Sequence, residues 1–184
     1  MSGGQFYALI GYCINQWAYV DQTLADFCHH ALGSDLKRSF VVYYYQNGFG
    51  SRLNLVSKLL STHELSDEHA QIWKRLRDKL QELAGFRNAI AHSPVRSVSE
   101  TRLVEDGGQN EGEPRYISQS WWEVYSEQNE VLTGKKEKIF TQVHVMAHLS
   151  ELQNCHQQLV ELLIAIGGTQ TQLPGSPQSA DPLP

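Results

Sequence analysis

The apolar residues Phe6, Ile10, Cys13, Trp17, Val20, Leu24, Phe27 and Ala31 follow one another at spacings that alternate between four and three. This is a helical seam of period about 3.5, and a stripe of that length must be covered by other helices. Helix-on-helix packing is therefore the first thing the chain dictates. Gly33-Ser34 breaks the seam, with Ser34 as the expected N-cap and Asp35 in the first turn of a second helix reaching about Leu60. The β-prone run Val41 to Tyr45 and the glycines Gly48 and Gly50, each costing about 1 kcal/mol inside a helix, predict a kink near Gly48. Phe49, Leu53, Val56 and Leu60 then restore helical spacing.

Ser66, followed by Asp67 and Glu68, starts a third helix, because a capping hydroxyl and early carboxylates satisfy its unpaired N–H groups and its dipole. Its stripe is Trp73, Leu76, Leu80, Leu83 and Ile90, and it should stop at Ser93, since the residue before Pro94 is pushed away from helical angles. Beyond lie the β-prone runs TRLV, RYISQSWWEVY and KEKIF, separated by EDGGQNEGEP and by Leu132-Thr133-Gly134, which predict a small antiparallel insert over about 95–140. Thr141, preceded by Phe140 and with Val145 at the staple position, caps a last helix reaching about Ile166. The expectation is a mostly α fold: one domain over 1–167, a bundle of four main helices with a β insert between the third and fourth. The tail 168–184 carries four of the six prolines and is expected to be disordered.

With 184 residues and 41% hydrophobic, the chain can build one sizeable core. A net charge of −5 excludes a broad cationic surface, so any nucleic-acid contact must be local. The cysteines Cys13, Cys28 and Cys155 are odd in number, scattered and without a CxxC pair, which suits a reducing compartment. No run approaches the roughly 18 apolar residues of a membrane span. The expected location is cytoplasmic, with no membrane partner.

The third helix has one member of its stripe out of character: position 87, in core phase between Leu83 and Ile90, is Arg87. A buried guanidinium is costly unless a carboxylate or a phosphate meets it. His92 lies five residues on, about 140° around the axis and about 7.5 Å along it. Asn88, four residues before His92, shares its face and can orient the imidazole. Helix-terminal carbonyls favour the imidazolium while Arg87 opposes it, a balance that suits proton transfer. The plain structural reading is a helix-capping histidine and an arginine paired to a carboxylate on a neighbouring helix.

At these residues the sequence resembles the HEPN superfamily, small helical domains marked by an arginine separated by a few residues from a histidine, commonly with asparagine after the arginine. Arg87, Asn88, Ala89, Ile90, Ala91 and His92 read as R-N-x-x-x-H. The resemblance extends to the aromatic-then-acid step Trp17, Asp21 in the first helix and to F-x-x-R-L-x-L-V from Phe49 to Val56. It implies a metal-independent endoribonuclease of the toxin or anti-phage type, needing no cofactor, that acts on RNA as a homodimer with first and third helices at the interface. A cognate antitoxin and a defence-system partner are its candidate regulators. His92 would move a proton at the 2′-hydroxyl or the 5′-oxygen, Arg87 would stabilise charge on the phosphorane, and Asn88 would hold His92 or the scissile phosphate. The products would be a 2′,3′-cyclic phosphate and a 5′-hydroxyl. Family toxins silenced by adenylylation usually carry tyrosine two residues after the histidine, where this chain has Pro94. The alternative is a non-catalytic HEPN-like partner-binding or scaffold protein.

Accessory residues follow from position. Asp21, just off the first seam, is a candidate partner for Arg87 or a polar wall of the cleft, and Arg52 and Lys58 are candidates to track an RNA backbone. His144, His148 and Cys155 share one face of the last helix, but they also continue the stripe of Leu159, Leu162 and Ile166, so packing is preferred to metal binding. Tyr116, Trp121 and Trp122 are aromatic enough to stack bases, though β alternation would turn one tryptophan inward.

Overall fold

The computed structural model describes residues 1–104, 115–126 and 138–171. Five helices and three strands appear among them: α1 (Gly3–Leu32), α2 (Leu36–Tyr44), α3 (Phe49–Leu60), α4 (Asp67–His92), β1 (Val95–Val104), β2 (Arg115–Ser126), β3 (Lys138–Thr141) and α5 (Gln142–Ala165). The fold class is mostly α with a small antiparallel sheet. None of the described helices is long and apolar enough to cross a membrane.

The seam of α1 is buried as its spacing demands, from Phe6 through Phe27, and the helix stops where Gly33, at φ 58°, returns its N–H to the carbonyl of His29 at 3.1 Å. The cap of the next helix is Asp35 and not Ser34: its carboxylate accepts from the Arg38 N–H at 3.0 Å, while the Ser34 hydroxyl pairs with that of Ser39 at 2.7 Å. The expected single second helix is two. Gly48 sits at φ 80°, ψ 157°, a conformation essentially confined to glycine, so the anticipated kink is a full break between α2 and α3. That break raises the helix count from the four expected to five.

In α4 the Ser66 hydroxyl accepts from the His69 N–H at 3.2 Å, and Trp73, Leu76, Leu80, Leu83 and Ile90 are all buried. The helix ends at His92, one residue before the expected Ser93. The three strands form an antiparallel meander in the order β1-β2-β3, with Val95 opposite Val124, Ser97 opposite Trp122, and Glu123 opposite Thr141. At the start of α5 the imidazole Nδ1 of His144 lies 3.1 Å from both the backbone N–H and the hydroxyl of Thr141, the reach-back of a capping box with histidine in the place of glutamate.

Contacts gather the chain into two compact units, to which α1, α4 and α5 each contribute residues. Unit 1 comprises Met1–Gln16 and Leu83–Glu151; unit 2 comprises Trp17–Glu82 and Leu152 onward. The core of unit 1 is Phe6, Ile10, Cys13, Ile90, Val124 and Val145, with Phe86, Trp122 and Phe140 packed against it. The interior of unit 2 includes Val20, Leu24, Phe27, Tyr43, Leu53, Val56, Leu60, Leu80, Leu152 and Leu159. The segments EDGGQNEGEP and Leu132-Thr133-Gly134, and the tail from residue 172, lie outside the described residues.

Candidate functional site

The last two turns of α4 belong to unit 1, and two side chains set their rotation. Ile90 is buried in the unit core, and Phe86 stacks on His148 with ring centroids 4.2 Å apart and planes 16° from parallel. Phe86 also meets Phe140 at 4.5 Å. With positions 86 and 90 turned inward, helical geometry turns 88 and 92 outward. Asn88 and His92 are both exposed, and Arg87, between the two faces, is half-buried. The core-phase position of Arg87 thus sits at the margin of the packed face.

Arg87 donates from Nη1 to the Asn88 Oδ1 at 3.0 Å. This bond draws the guanidinium off its own radial direction toward the face that carries His92. It also uses the amide oxygen of Asn88, leaving the Nδ2 amino group as the end that can still donate outward. His92 closes the helix, and the Pro94 carbonyl directly beyond accepts from the Tyr125 N–H at 3.0 Å, which ties the exit of the chain to β2. A cationic fork, an amide donor and an imidazole therefore share the solvent-facing end of one rigid helix. Such a set can bind a phosphate and exchange a proton.

Asp21 and Arg52 lie in unit 2, where they meet each other. Arg52 donates from Nη1 to Asp21 Oδ2 at 2.6 Å, and the Tyr43 hydroxyl donates to Asp21 Oδ1 at 2.8 Å. Both charged side chains are about four-fifths buried, at 18% and 20% exposure. The guanidinium also lies 5.7 Å from the Tyr43 ring and 5.9 Å from the Tyr44 ring. Burial, reinforced by the negative charge of Asp21, pushes the Tyr43 phenol well above its ordinary range, so it remains a donor. This ion pair links α1, α2 and α3, and the charge of Arg52 is already matched by Asp21. Lys58 is exposed.

The histidines of α5 have packing and capping partners. His144 serves the helix start, and His148, 5% exposed, is the stacking partner of Phe86. Cys155 is buried in unit 2, its thiol raised to about 11 by desolvation. Among the described residues no three His, Cys, Asp or Glu side chains converge on a point where a metal ion would sit.

Sequence reasoning missed a second polar cluster. Glu123, 3% exposed, accepts from Arg96 Nε at 2.7 Å and from Trp121 Nε1 at 3.0 Å, and the Arg96 guanidinium lies 3.8 Å over the Tyr125 ring. Arg96 and Glu123 are directly opposite across β1 and β2, a register that follows only once the hairpin pairing is known. It also missed Asp26, fully buried in α1, whose carboxylate accepts from the Thr171 N–H at 3.1 Å and from Gln22 Nε2 at 3.3 Å. Comparison with protein-family models, with curated proteins and with solved structures returns no match to this chain.

Proposed function

We propose that this chain is a metal-independent endoribonuclease whose site is Arg87, Asn88 and His92, working in the cytoplasm as a homodimer with the composite cleft between two copies. The observation that carries the reading is the pairing of Arg87 with Asn88 on a helix end whose rotation is locked by Phe86 and Ile90, with His92 exposed on the same face as Asn88. An imidazole removes the proton of an RNA 2′-hydroxyl, the 2′-oxygen attacks the adjacent phosphorus, and the bond to the 5′-oxygen breaks. The leaving oxygen takes a proton from an imidazolium, which a second copy's histidine provides. The guanidinium stabilises the charge that gathers on the non-bridging oxygens. The nucleophile comes from the substrate itself, so the step needs no metal. A protein antitoxin or a defence-system partner is the regulator this activity calls for.

The test is digestion of total cellular RNA in EDTA by the purified wild type and by His92→Ala, with product ends mapped. The expected result is 2′,3′-cyclic phosphate and 5′-hydroxyl ends from the wild type and a loss of roughly 10²–10⁴-fold in the folded variant, the usual worth of a general acid–base. Intact RNA with both proteins would overturn the reading. A second reading, a partner-binding or scaffold protein of the same resemblance, draws on one face of α2, where exposed Leu36, Val41 and Tyr44 and half-buried Phe40 line a shallow groove. Intact RNA together with co-purification of a partner through that face would favour it.

A further inference from the structure

In the turn between α2 and α3, Asn47 is followed directly by Gly48, a pair that occurs once in the chain. Asn47 is exposed, and among the described residues neither its side chain nor the Gly48 N–H has a hydrogen-bond partner. A Cβ built on Gly48 would meet nothing within 4 Å, so the space around this residue is open.

The other described asparagines, Asn15, Asn54, Asn88 and Asn154, lie inside helices. There the N–H of the next residue is committed to the carbonyl four residues back, and that residue carries a side chain that crowds the approach to its nitrogen. Glycine has no side chain to obstruct it. Among the described residues, Asn47 alone has both its amide carbon and the following nitrogen unencumbered.

We propose that Asn47 is a site of spontaneous deamidation, a covalent modification that needs no enzyme and takes water as its only co-reactant. The Gly48 nitrogen gives its proton to a base in solution and attacks the side-chain carbonyl carbon of Asn47. The new C–N bond closes a five-membered succinimide as the amide C–N bond breaks and its nitrogen leaves as ammonia. Water then opens the ring at one of its two carbonyls, leaving either an aspartate or an isoaspartate at position 47. One water enters, one ammonia leaves, and nothing is oxidised or reduced.

Both products act on the start of α3, which has no side-chain cap and no acidic residue in its first turn. Aspartate places a carboxylate beside the unpaired N–H groups of that helix, where its dipole favours negative charge. Isoaspartate adds a methylene to the main chain directly before Gly48, whose carbonyl accepts from the Arg52 N–H at 3.2 Å. Arg52 is also the residue that holds Asp21, so the change is felt beside the buried ion pair of unit 2.

The experiment incubates the full chain at mildly alkaline pH and physiological temperature, digests it with trypsin, and follows peptide 39–52, whose one asparagine is Asn47, by mass spectrometry with electron-transfer fragmentation. The expected result is a progressive gain of the amide-to-acid mass difference at Asn47, faster as pH rises, with isoaspartate the major product and the helical asparagines unchanged. Asn47→Gln, whose longer side chain would have to close a six-membered ring, should lose the modification. Gly48→Ala should slow it where circular dichroism shows the variant folded. An Asn47 that stays an amide in the folded chain while a synthetic peptide of the same turn deamidates overturns the proposal, as does a mass gain that appears at the helical asparagines before Asn47.

Discussion

Fully buried Asp26 and half-buried His156, both in unit 2, shape stability in opposite directions. Burial raises the Asp26 carboxyl above its ordinary 3.8, against the bonds from Thr171 and Gln22 and the nearby His29 that pull it down. The folded chain then holds this proton more tightly than the unfolded one, so the stability linked to Asp26 is present below about pH 3.8 and lost as pH rises through the folded value. His156 is the converse. The Thr23 hydroxyl donates to the Tyr19 carbonyl at 3.0 Å, so its 3.1 Å contact with His156 Nε2 must be accepted from the ring, which fixes the neutral Nε2–H tautomer. Burial lowers this histidine below 6.5, and its stability, present above that value, is lost as pH falls through the folded value. In urea unfolding of the wild type the Asp26 contribution should show as stability falling when the pH rises above about 3.8, and the His156 contribution as stability rising toward pH 6.5, so the two together are smallest between those values. Asp26→Asn should flatten the first slope and His156→Gln the second, each by about 1.4 kcal/mol per unit of pKa offset removed. Slopes unchanged by the substitutions would show that other groups set the pH dependence.

At the scale of elements, two glycines two residues apart have opposite roles. Gly48 holds φ 80° and ψ 157° between α2 and α3, a conformation that costs a side-chain-bearing residue about 1–3 kcal/mol. Gly50 is inside α3, where an added Cβ meets nothing within 4 Å. Gly48→Ala should therefore lower stability by about 1–3 kcal/mol, and Gly50→Ala should raise it by up to about 1 kcal/mol through helix propensity and a less disordered unfolded chain. Chemical denaturation of the two variants checks both signs, and a neutral Gly48→Ala would mean that α2 and α3 can join without penalty. The helices with a strong period were legible: the stripe of α1 is buried from Phe6 through Phe27, with Ala31 only half-buried, and the apolar stripe of α4 is buried at Trp73, Leu76, Leu80, Leu83 and Ile90. The break at Gly48 was legible only as a kink, because a glycine announces permission to bend and not the angle it takes.

For the whole molecule, the ribonuclease reading requires two copies, since a single Arg87-Asn88-His92 set offers one imidazole for two proton transfers. Sedimentation at micromolar concentration should give twice the 20.8 kDa chain mass, unchanged in His92→Ala, which keeps the helix and removes only an exposed ring. A monomer that cuts RNA at an undiminished rate would sink the composite site while sparing the residues.

The sequence by itself determined the helical period, the helix ends at Gly33 and Ser66, the antiparallel insert and the proximity of Arg87, Asn88 and His92, because each of these is set by neighbours within a few residues along the chain. Only the tertiary structure decided that Arg52 belongs to Asp21 and Tyr43, that Glu123 holds Trp121 and Arg96, and that Arg87 leans to Asn88 at the edge of the packed face. The physical reason is that the choice among partners for a charged side chain depends on which groups packing has removed from water and brought within about 3 Å, the ordinary hydrogen-bond distance, and local periodicity carries no record of that.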